Sequence, residues 1–363
     1  MTSVVQAAEY KPIETIKLSG GPHDRGYAYG RTCKQQIGQA VDSNLAFYKT
    51  YCNFPKATTL RLAHKYAPFI QNYSSEIDEE ITAIAEGAER PRDAILMLTC
   101  YWELMYTYAS HCTAIAVTGS ATVDGETYVA QNNDEALEPW GSNFSKIVVA
   151  KPQSGPSFLT YTYPGFPGQM GLNSNGIALC VNALITEQHE LGVPFQVITS
   201  EVLRQKSIGD AINAVMRAKK RASSGNLLIA DENGEIYDLE TTPHEFDALY
   251  SYQRMVHTNH FLSTRMNVKR DVVRENMCDT VIRYNRMSRI LEESDKMSIE
   301  GLMHAFKDHV NYPNSICRHV DERQTGKDRL KTADCMIYSP SKKRMWLARG
   351  NPCGGEFQTF GLS

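Results

Sequence analysis

The spacing of apolar residues changes abruptly at Cys112. Upstream, in "SSEIDEEITAIAEGAER", Ile77, Ile81, Ile84, Ala85 and Ala88 fall on one helical stripe, with Ser75 and Asp78 placed as a capping box. The next stretch, "RDAILMLTCYWELMYTYA", is apolar nearly all round and reads as one helix buried on most sides, with Asp93 able to cap it. Downstream the period is two. "TAIAVT" and "TYVAQN" alternate on either side of Asp124-Gly125, a dipeptide that favours a two-residue hairpin turn. Strands follow at "KIVVAKP", "FLTYTYPGF" and "IALCVNAL", and in the "NLLIADENGEIYDLET" hairpin, which turns at Asn233-Gly234. Helices fall at "FQVITSEVLRQ", at "GDAINAVMRAK" and over 271–309, and the hairpin "DCMIYSPSKKRMWLARG" closes the chain. Antiparallel hairpins interleaved with helix pairs fold as stacked sheets covered by helices.

The first hairpin makes a geometric prediction. A two-residue loop at Asp124-Gly125 puts Cys112 opposite Leu137 and Asp134 opposite Ile115. Cys112 and Asp134 then share the open end of one hairpin, three positions apart, or about 10 Å at the usual rise per residue. A bulge would be needed to bring them into contact, and Gly119 is a candidate.

Composition narrows the partners. A net charge of −3 at pH 7 gives no basis for binding nucleic acid or an anionic membrane surface, which leaves a small molecule. The opening stretch "MTSVVQAAEYKPIETIKL" does not resemble a secretory signal, and no apolar run approaches the roughly eighteen residues of a membrane span. Nine cysteines, an odd number with no CxxC pair, argue against a disulfide framework and a zinc knuckle and fit a reducing, cytoplasmic setting. His257 and His260 are three apart in an apparent strand and have no carboxylate or thiol at ligand spacing, so they read as hydrogen-bonded core residues and no metal is expected. "PGFPGQ" and "GLNSNG" lack the spacing of a phosphate-binding loop and read as turns at a pocket mouth; no cofactor is expected. Tyr161, Tyr163, Phe166 and Trp140 fall in the same region and are candidates to line an acyl pocket.

Seven stretches taken in order carry a resemblance: "GGPHDRGYAYG", "IAEGAER", "HCTAIAV" with "AQNND", "GLNSNGIALCVNAL", "MVHTNH" and "NYPNSICR". With them the chain resembles the isopenicillin N acyltransferase (acyl-coenzyme A:6-aminopenicillanic acid acyltransferase) family of N-terminal nucleophile hydrolases. The resemblance implies an α+β fold of four αββα layers, two antiparallel sheets between helical layers. It also implies a precursor that cleaves itself before a cysteine, here between His111 and Cys112. Residues 1–111 would form a helical small subunit and 112–363 the αββα large subunit, packed as one compact domain, with higher oligomers left open.

The chemistry of such a cut is sound in itself. A cysteine thiol that attacks the carbonyl before it forms a thioester, and water then releases an α-amine on the same residue. That amine, with a pKa of about 7.7 to 8.0 against about 8.5 for the thiol, can serve as the built-in base. Cys112 is thus the candidate nucleophile, and Asp134 the candidate to orient its amine. The resemblance assigns an oxyanion-stabilising amide to Asn259; Asn182, at the end of an apolar strand, is a second candidate. Arg318 matches the family's active-site arginine, with a fork suited to a carboxylate, and Ser315 matches a family serine near the site. Cys317 beside them reads as packing. Gln131 stands where the related choloylglycine hydrolases carry an arginine, which weakens a bile-salt reading. His111 stands where the family has glycine, and either hinders cleavage by its bulk or assists as a proton shuttle. Hydrolysis of an N-acyl amide is the default activity, since it needs no second substrate and no coenzyme A signature is present. Transfer to an amine acceptor is the alternative, and a binding protein that has lost processing is a third reading.

Overall fold

The computed structural model describes residues 13–105, 111–139, 144–266, 268, 270–276 and 278–362; Trp140 lies outside the described residues. Strand β1 (Thr15–Gly20) leads into helices α1 (Pro22–Thr32), α2 (Lys34–Tyr51), α3 (Lys56–His64), α4 (Ala67–Tyr73), α5 (Ser75–Ala88), α6 (Arg92–Thr99) and α7 (Tyr101–Leu104). Strands β2 (His111–Val117), β3 (Tyr128–Ala136), β4 (Lys146–Pro152), β5 (Phe158–Thr162), β6 (Met170–Asn173) and β7 (Ile177–Asn182) follow. After α8 (Phe195–Val202) and α9 (Ile208–Arg217) come β8 (Gly225–Asp231), β9 (Ile236–Thr241), β10 (Phe246–Tyr250) and β11 (Arg254–His257). Helices α10 (Val272–Asn276), α11 (Asp279–Glu293) and α12 (Ile299–Ala305) precede β12 (Leu330–Ser339), β13 (Arg344–Arg349) and β14 (Phe357–Gly361).

Among the described residues the strands form two sheets. One has eight strands in the order β1-β4-β5-β6-β7-β8-β9-β10, and the other six in the order β11-β2-β3-β12-β13-β14. All pairings are antiparallel except β1 with β4. The period of two explains the layering. Along β2, Ala114 and Ala116 face the main core with Leu172 and Leu179 of the larger sheet, while Ile115 and Val117 face a second core with Met287, Leu291 and Leu302 of α11 and α12. The other face of the larger sheet is covered by α1, α2, α5, α6, α8 and α9, whose apolar stripes (Ile37, Ile77, Ile81, Ile84) join the main core. The order is therefore helix, sheet, sheet, helix.

Several local expectations need correction. The cap of α5 is Ser74, whose hydroxyl accepts from Ile77 N at 3.5 Å, and Asp78 instead holds Arg92. Asp93 does not cap α6, which follows Pro91; its carboxylate meets His64 Nδ1 at 2.9 Å. The helix expected to run on from residue 92 breaks at Cys100 into α6 and α7, and 106–110 lie outside the described residues. The segment before Cys112 is not purely helical, because β1 pairs with β4 and so ties both parts of the chain into one sheet. Strand β14 extends the smaller sheet beyond the last expected hairpin.

The glycines of "GYAYG" and "IAEGAER" have a packing reason. Helices α1 and α5 touch backbone to backbone: a Cβ on Gly30 would lie 2.3 Å from Ile84 O, and one on Gly87 2.2 Å from Tyr27 O. The same contact buries Arg25, which donates from Nε to Glu80 Oε1 at 2.8 Å and from its other nitrogens to Gly20 O and Glu76. Gly30→Ala should therefore force the helices apart and cost about 1–3 kcal/mol by overpacking, despite alanine's better helix propensity. Urea unfolding of the variant at unchanged m-value is the measurement, and equal or greater stability would refute the close contact.

Candidate active site

The register of β2 against β3 sets the site. Cys112 pairs directly with Asn133, and His111 with Asp134. The expected two-residue turn at Asp124-Gly125 is not formed. The connection runs from 118 to 127 through a short 3-10 turn at Gly119–Ala121, which slides the register by four residues relative to the tight hairpin. Gly119 begins that turn with φ +58° and makes no bulge. Cys112 and the Asp134 strand position thus become neighbours without a bulge.

Alternation then sorts the side chains by face. Cys112 points between the sheets, 1 % exposed, with Sγ 3.7 Å from Asn133 Oδ1. Asn133 Nδ2 donates to Tyr163 OH at 3.1 Å, and Tyr161 OH donates to Asp334 Oδ2 at 2.7 Å, so two of the expected pocket aromatics stand beside the thiol. His111 and Asp134 point the opposite way, under α11. There His111 Nδ1 lies 3.0 Å from Arg318 Nη2, 3.4 Å from Arg283 Nη2 and 3.4 Å from Asp279 Oδ2. Imidazole and thiol sit on opposite faces of one strand, which sets the His111 ring among Arg318, Arg283 and Asp279. The bulky ring is accommodated, fully buried.

Strand β11 pairs with β2 from Val117 only as far as Ala114. Beyond that point side chains replace the missing strand. Cys112 N donates to Asn259 Oδ1 at 2.8 Å, and Arg283 Nη1 donates to the Cys112 carbonyl and, at 3.0 Å, to Thr113 Oγ1. Arg283 Nη2 also reaches Asn259 Oδ1 at 3.0 Å, while Asn259 Nδ2 donates to Ala183 O at 3.1 Å. Arg318 donates to Asp134 Oδ2 at 3.3 Å and to Asp279, and Thr332 Oγ1 donates to Asp134 Oδ1 at 2.7 Å.

The electrostatics follow from burial. Burial first, then the Asp134 and Glu135 carboxylates, push the Cys112 thiol well above its ordinary value, with Arg283 opposing. Burial lifts Asp134 to about 6, against the pull of Arg318 and Arg283. His111 is driven down to about 4 by burial and the Arg318 charge, so its ring is neutral. Burial would raise Asp279, yet its hydrogen bond with His111 and the two guanidiniums hold it well below the usual range.

Among the sequence candidates, the structure brings together Cys112, Asp134, Asn259, Arg318 and His111. Ser315 is not part of that group: its hydroxyl donates to Cys317 O at 2.6 Å and shapes the turn before Arg318. Gln131 accepts from Val181 N at 3.0 Å, while its Nε2 and the Oδ1 of Asn182 are buried without a hydrogen-bond partner among the described residues. Asn182 Nδ2 makes only a 3.5 Å contact with His257 O. Arg283, Asp279 and Asn133 were missed. Arg283 and Asp279 look like an ordinary i,i+4 surface pair on an amphipathic helix, and Asn133 was overshadowed by the aspartate beside it.

Two antiparallel sheets between helical layers form the four-layer αββα fold of the N-terminal nucleophile hydrolases, and Cys112 is the second residue of an inner strand. The profile of the family described as acyl-coenzyme A:6-aminopenicillanic acid acyl-transferase matches residues 121–353, and the chain belongs to that family. The match begins downstream of Cys112. The chain is 24% identical over 344 residues to the acyl-coenzyme A:6-aminopenicillanic-acid-acyltransferase 40 kDa form of Emericella nidulans, covering 93% of this chain and 92% of that protein. It is 23% identical over 249 residues to protein dcd1A of Dictyostelium discoideum, covering 58% and 54% of the two chains. Among solved structures, a conjugated bile acid hydrolase from Clostridium perfringens aligns with a TM-score of 0.45 at 13% identity, over 69% of this chain and 97% of that one. Penicillin V acylase from Agrobacterium tumefaciens aligns with a TM-score of 0.42 at 11% identity, over 66% and 83%.

His257 and His260 are hydrogen-bonded and buried, as expected. His257 Nε2 meets Glu240 Oε1 at 2.8 Å, and Glu240 also accepts from Leu262 N at 2.6 Å and Ser263 N at 2.9 Å, which fixes the loop carrying Asn259. Burial opposes a charge on His257, yet the Asp238 and Glu240 carboxylates raise it to about 9. The folded value exceeds the unfolded one, so this stabilisation is complete below about pH 6.5 and is lost as pH rises through about 9. His257→Gln should cost about 3–5 kcal/mol near pH 6, the usual penalty for breaking a buried pair. The gap to wild type should shrink towards pH 10 in urea titrations; a constant gap would mean that His257 is neutral in the folded protein.

Proposed function

We propose that this chain is a self-processing cysteine amidohydrolase that cuts an N-acyl amide bond through a thioester on Cys112. The observation that carries this reading is the clamp on Cys112: its nitrogen and carbonyl are held by the side chains of Asn259 and Arg283 where a neighbouring strand would otherwise hold them. A nitrogen held by a side chain keeps its partner when it changes from amide to amine.

In the first stage the Cys112 thiol adds to the His111 carbonyl. The C–N bond breaks, the thiol's proton passes to nitrogen, and a thioester joins His111 to Sγ. Water opens the thioester, leaving a carboxylate on His111 and a free thiol and amine on Cys112. In turnover the amine takes the thiol's proton, sulfur adds to the substrate carbonyl, and the leaving amine receives the proton as the acyl thioester forms. Water then releases the acid. Asn259 holds the amine through Oδ1. Asp134, across the strand pair from the cut, balances Arg318 and orients the new amine end. Asn182, whose amide makes only a weak contact, and the unpartnered Nε2 of Gln131 are the donors proposed for the substrate side.

A cleft lined by Tyr101, Trp102, Met105, Leu184 and Thr186 starts next to Ala183, the residue that accepts from Asn259, and is the proposed acyl site. A reducing, cytoplasmic setting is proposed from the odd cysteine count without a CxxC pair, and among the described residues no helix is long and apolar enough to cross a membrane.

Intact mass spectrometry of the purified protein should find chains of 111 and 252 residues (363 less 111), and Cys112→Ala should stay one chain with no turnover. An active wild type in a single unbroken chain would end the proposal, and an inactive unbroken one would favour the binding-protein reading. Acyl transfer is separated from hydrolysis by adding an amine at fixed enzyme. An acyl-enzyme open to acceptors gives an amide-to-acid ratio that rises with amine concentration, whereas a flat ratio assigns hydrolysis alone.

A further inference from the structure

Four metal-ligating side chains converge beside Arg318, away from the thiol. His309, Cys317 and His319 come from the segment between α12 and β12, and Cys353 from the turn after β13. Each offers one ligand atom, and the four atoms lie within 4.8 Å of one another. His319 Nε2 lies 3.1 Å from His309 Nε2, 3.5 Å from Cys353 Sγ and 3.8 Å from Cys317 Sγ. A tetrahedral zinc ion, with its usual bonds to sulfur and nitrogen, sets its ligand atoms about 3.3–3.8 Å apart. The three edges that meet at His319 are close to that size.

The donor chemistry agrees with the geometry. Two imidazole nitrogens facing each other at 3.1 Å need either a proton or a cation between them, since two lone pairs repel and two N–H groups clash. Two thiols complete a set of two nitrogens and two sulfurs, which zinc takes as a closed, four-coordinate structural site. Supporting contacts are in place. Asn351 Nδ2 is 3.5 Å from Cys317 Sγ and donates to Arg318 O at 2.6 Å, and the Tyr312 ring packs against both histidines.

We propose that His309, Cys317, His319 and Cys353 bind one zinc ion that pins the turn after β13 to the segment carrying Arg318. Binding exchanges the two thiol protons for the cation, releasing both to solvent, with no change of oxidation state. Arg318 lies between two of the ligands in sequence and reaches Asp134, Asp279 and His111, so the ion holds the guanidinium in the charge cluster beneath β2. The inference does not rest on Cys112 being a nucleophile.

The test is metal analysis of wild type, Cys353→Ser and His309→Gln, both altered residues being exposed and their folding checked by circular dichroism. Wild type purified without chelators should carry close to one zinc per chain, and both variants should lose most of it. Protein stripped with chelator and titrated with Co2+ should show the ligand-field bands of a tetrahedral thiolate site, which Cys353→Ser should lack. Zinc should also raise the Tm of stripped wild type and leave that of the variants unmoved. The proposal is overturned if wild type neither retains zinc nor gives the cobalt spectrum, or if the variants keep their metal. It is equally overturned if peptide mapping of the unreduced protein finds Cys317 and Cys353 joined in a disulfide.

Discussion

The buried guanidinium of Arg283 holds the head of β2 in place, and the rest of the site is arranged around that contact. Taking a cation fully out of water costs several kcal/mol unless its donors are met. Here they are met by Asp279, the Cys112 carbonyl, the Thr113 hydroxyl and the Asn259 oxygen. Asp279 is shared with Arg318, whose remaining charge faces Asp134. Two guanidiniums and two carboxylates thus surround one neutral imidazole, a balance that lets so much charge lie beneath a sheet. Loss of any one member would unbalance the buried charges of its neighbours, so the cluster is specified as a unit.

The same cluster explains where the smaller sheet ends. Strand β11 stops at His257 because the chain turns there into a loop held by Glu240, and the space it leaves beside Cys112 admits two side chains. A strand neighbour would have closed the Cys112 amide into a ladder. Asn259 and Arg283 satisfy the same backbone groups while leaving them attached to residues that can adjust. Fold and site are therefore one design. The inner sheets give rigid placement, and the early end of one strand leaves a backbone nitrogen to a side-chain acceptor.

Much of this was legible in the sequence, and the failures have physical causes. The change of period at Cys112 placed the start of the sheet, and alternation in "TAIAVT" marked its first strand. The register was misread because Asp124-Gly125 is a strong local turn signal that tertiary packing overrode: Thr122, Asp124 and Glu126 bond within a longer loop, and the strands pair four residues out of the expected frame. Arg283 was invisible because a buried cation on a helix carries the same spacing as a surface ion pair. The cysteines were judged by short spacings, yet Cys353 meets Cys317 and His319 only because β12 and β13 fold it back. Ligands brought together by a hairpin leave no local motif.

On the proposed mechanism, one peptide bond governs both the geometry and the electrostatics of Cys112. In the unbroken chain the residue's nitrogen is an amide and cannot accept a proton, and burial among carboxylates holds the thiol in its neutral form. The thiol is then present without the amine base that turnover needs. Breaking the bond creates the base where Asn259 already waits for it, and it gives the chain two ends at a point that had been the enclosed start of a strand. The charge cluster on the opposite face need not be rebuilt for this to happen, since Arg283 grips the Cys112 carbonyl on the side of the bond that stays. Reactivity is thus withheld by the covalent state of a nitrogen, and the scaffold that will use it is complete before the cut is made.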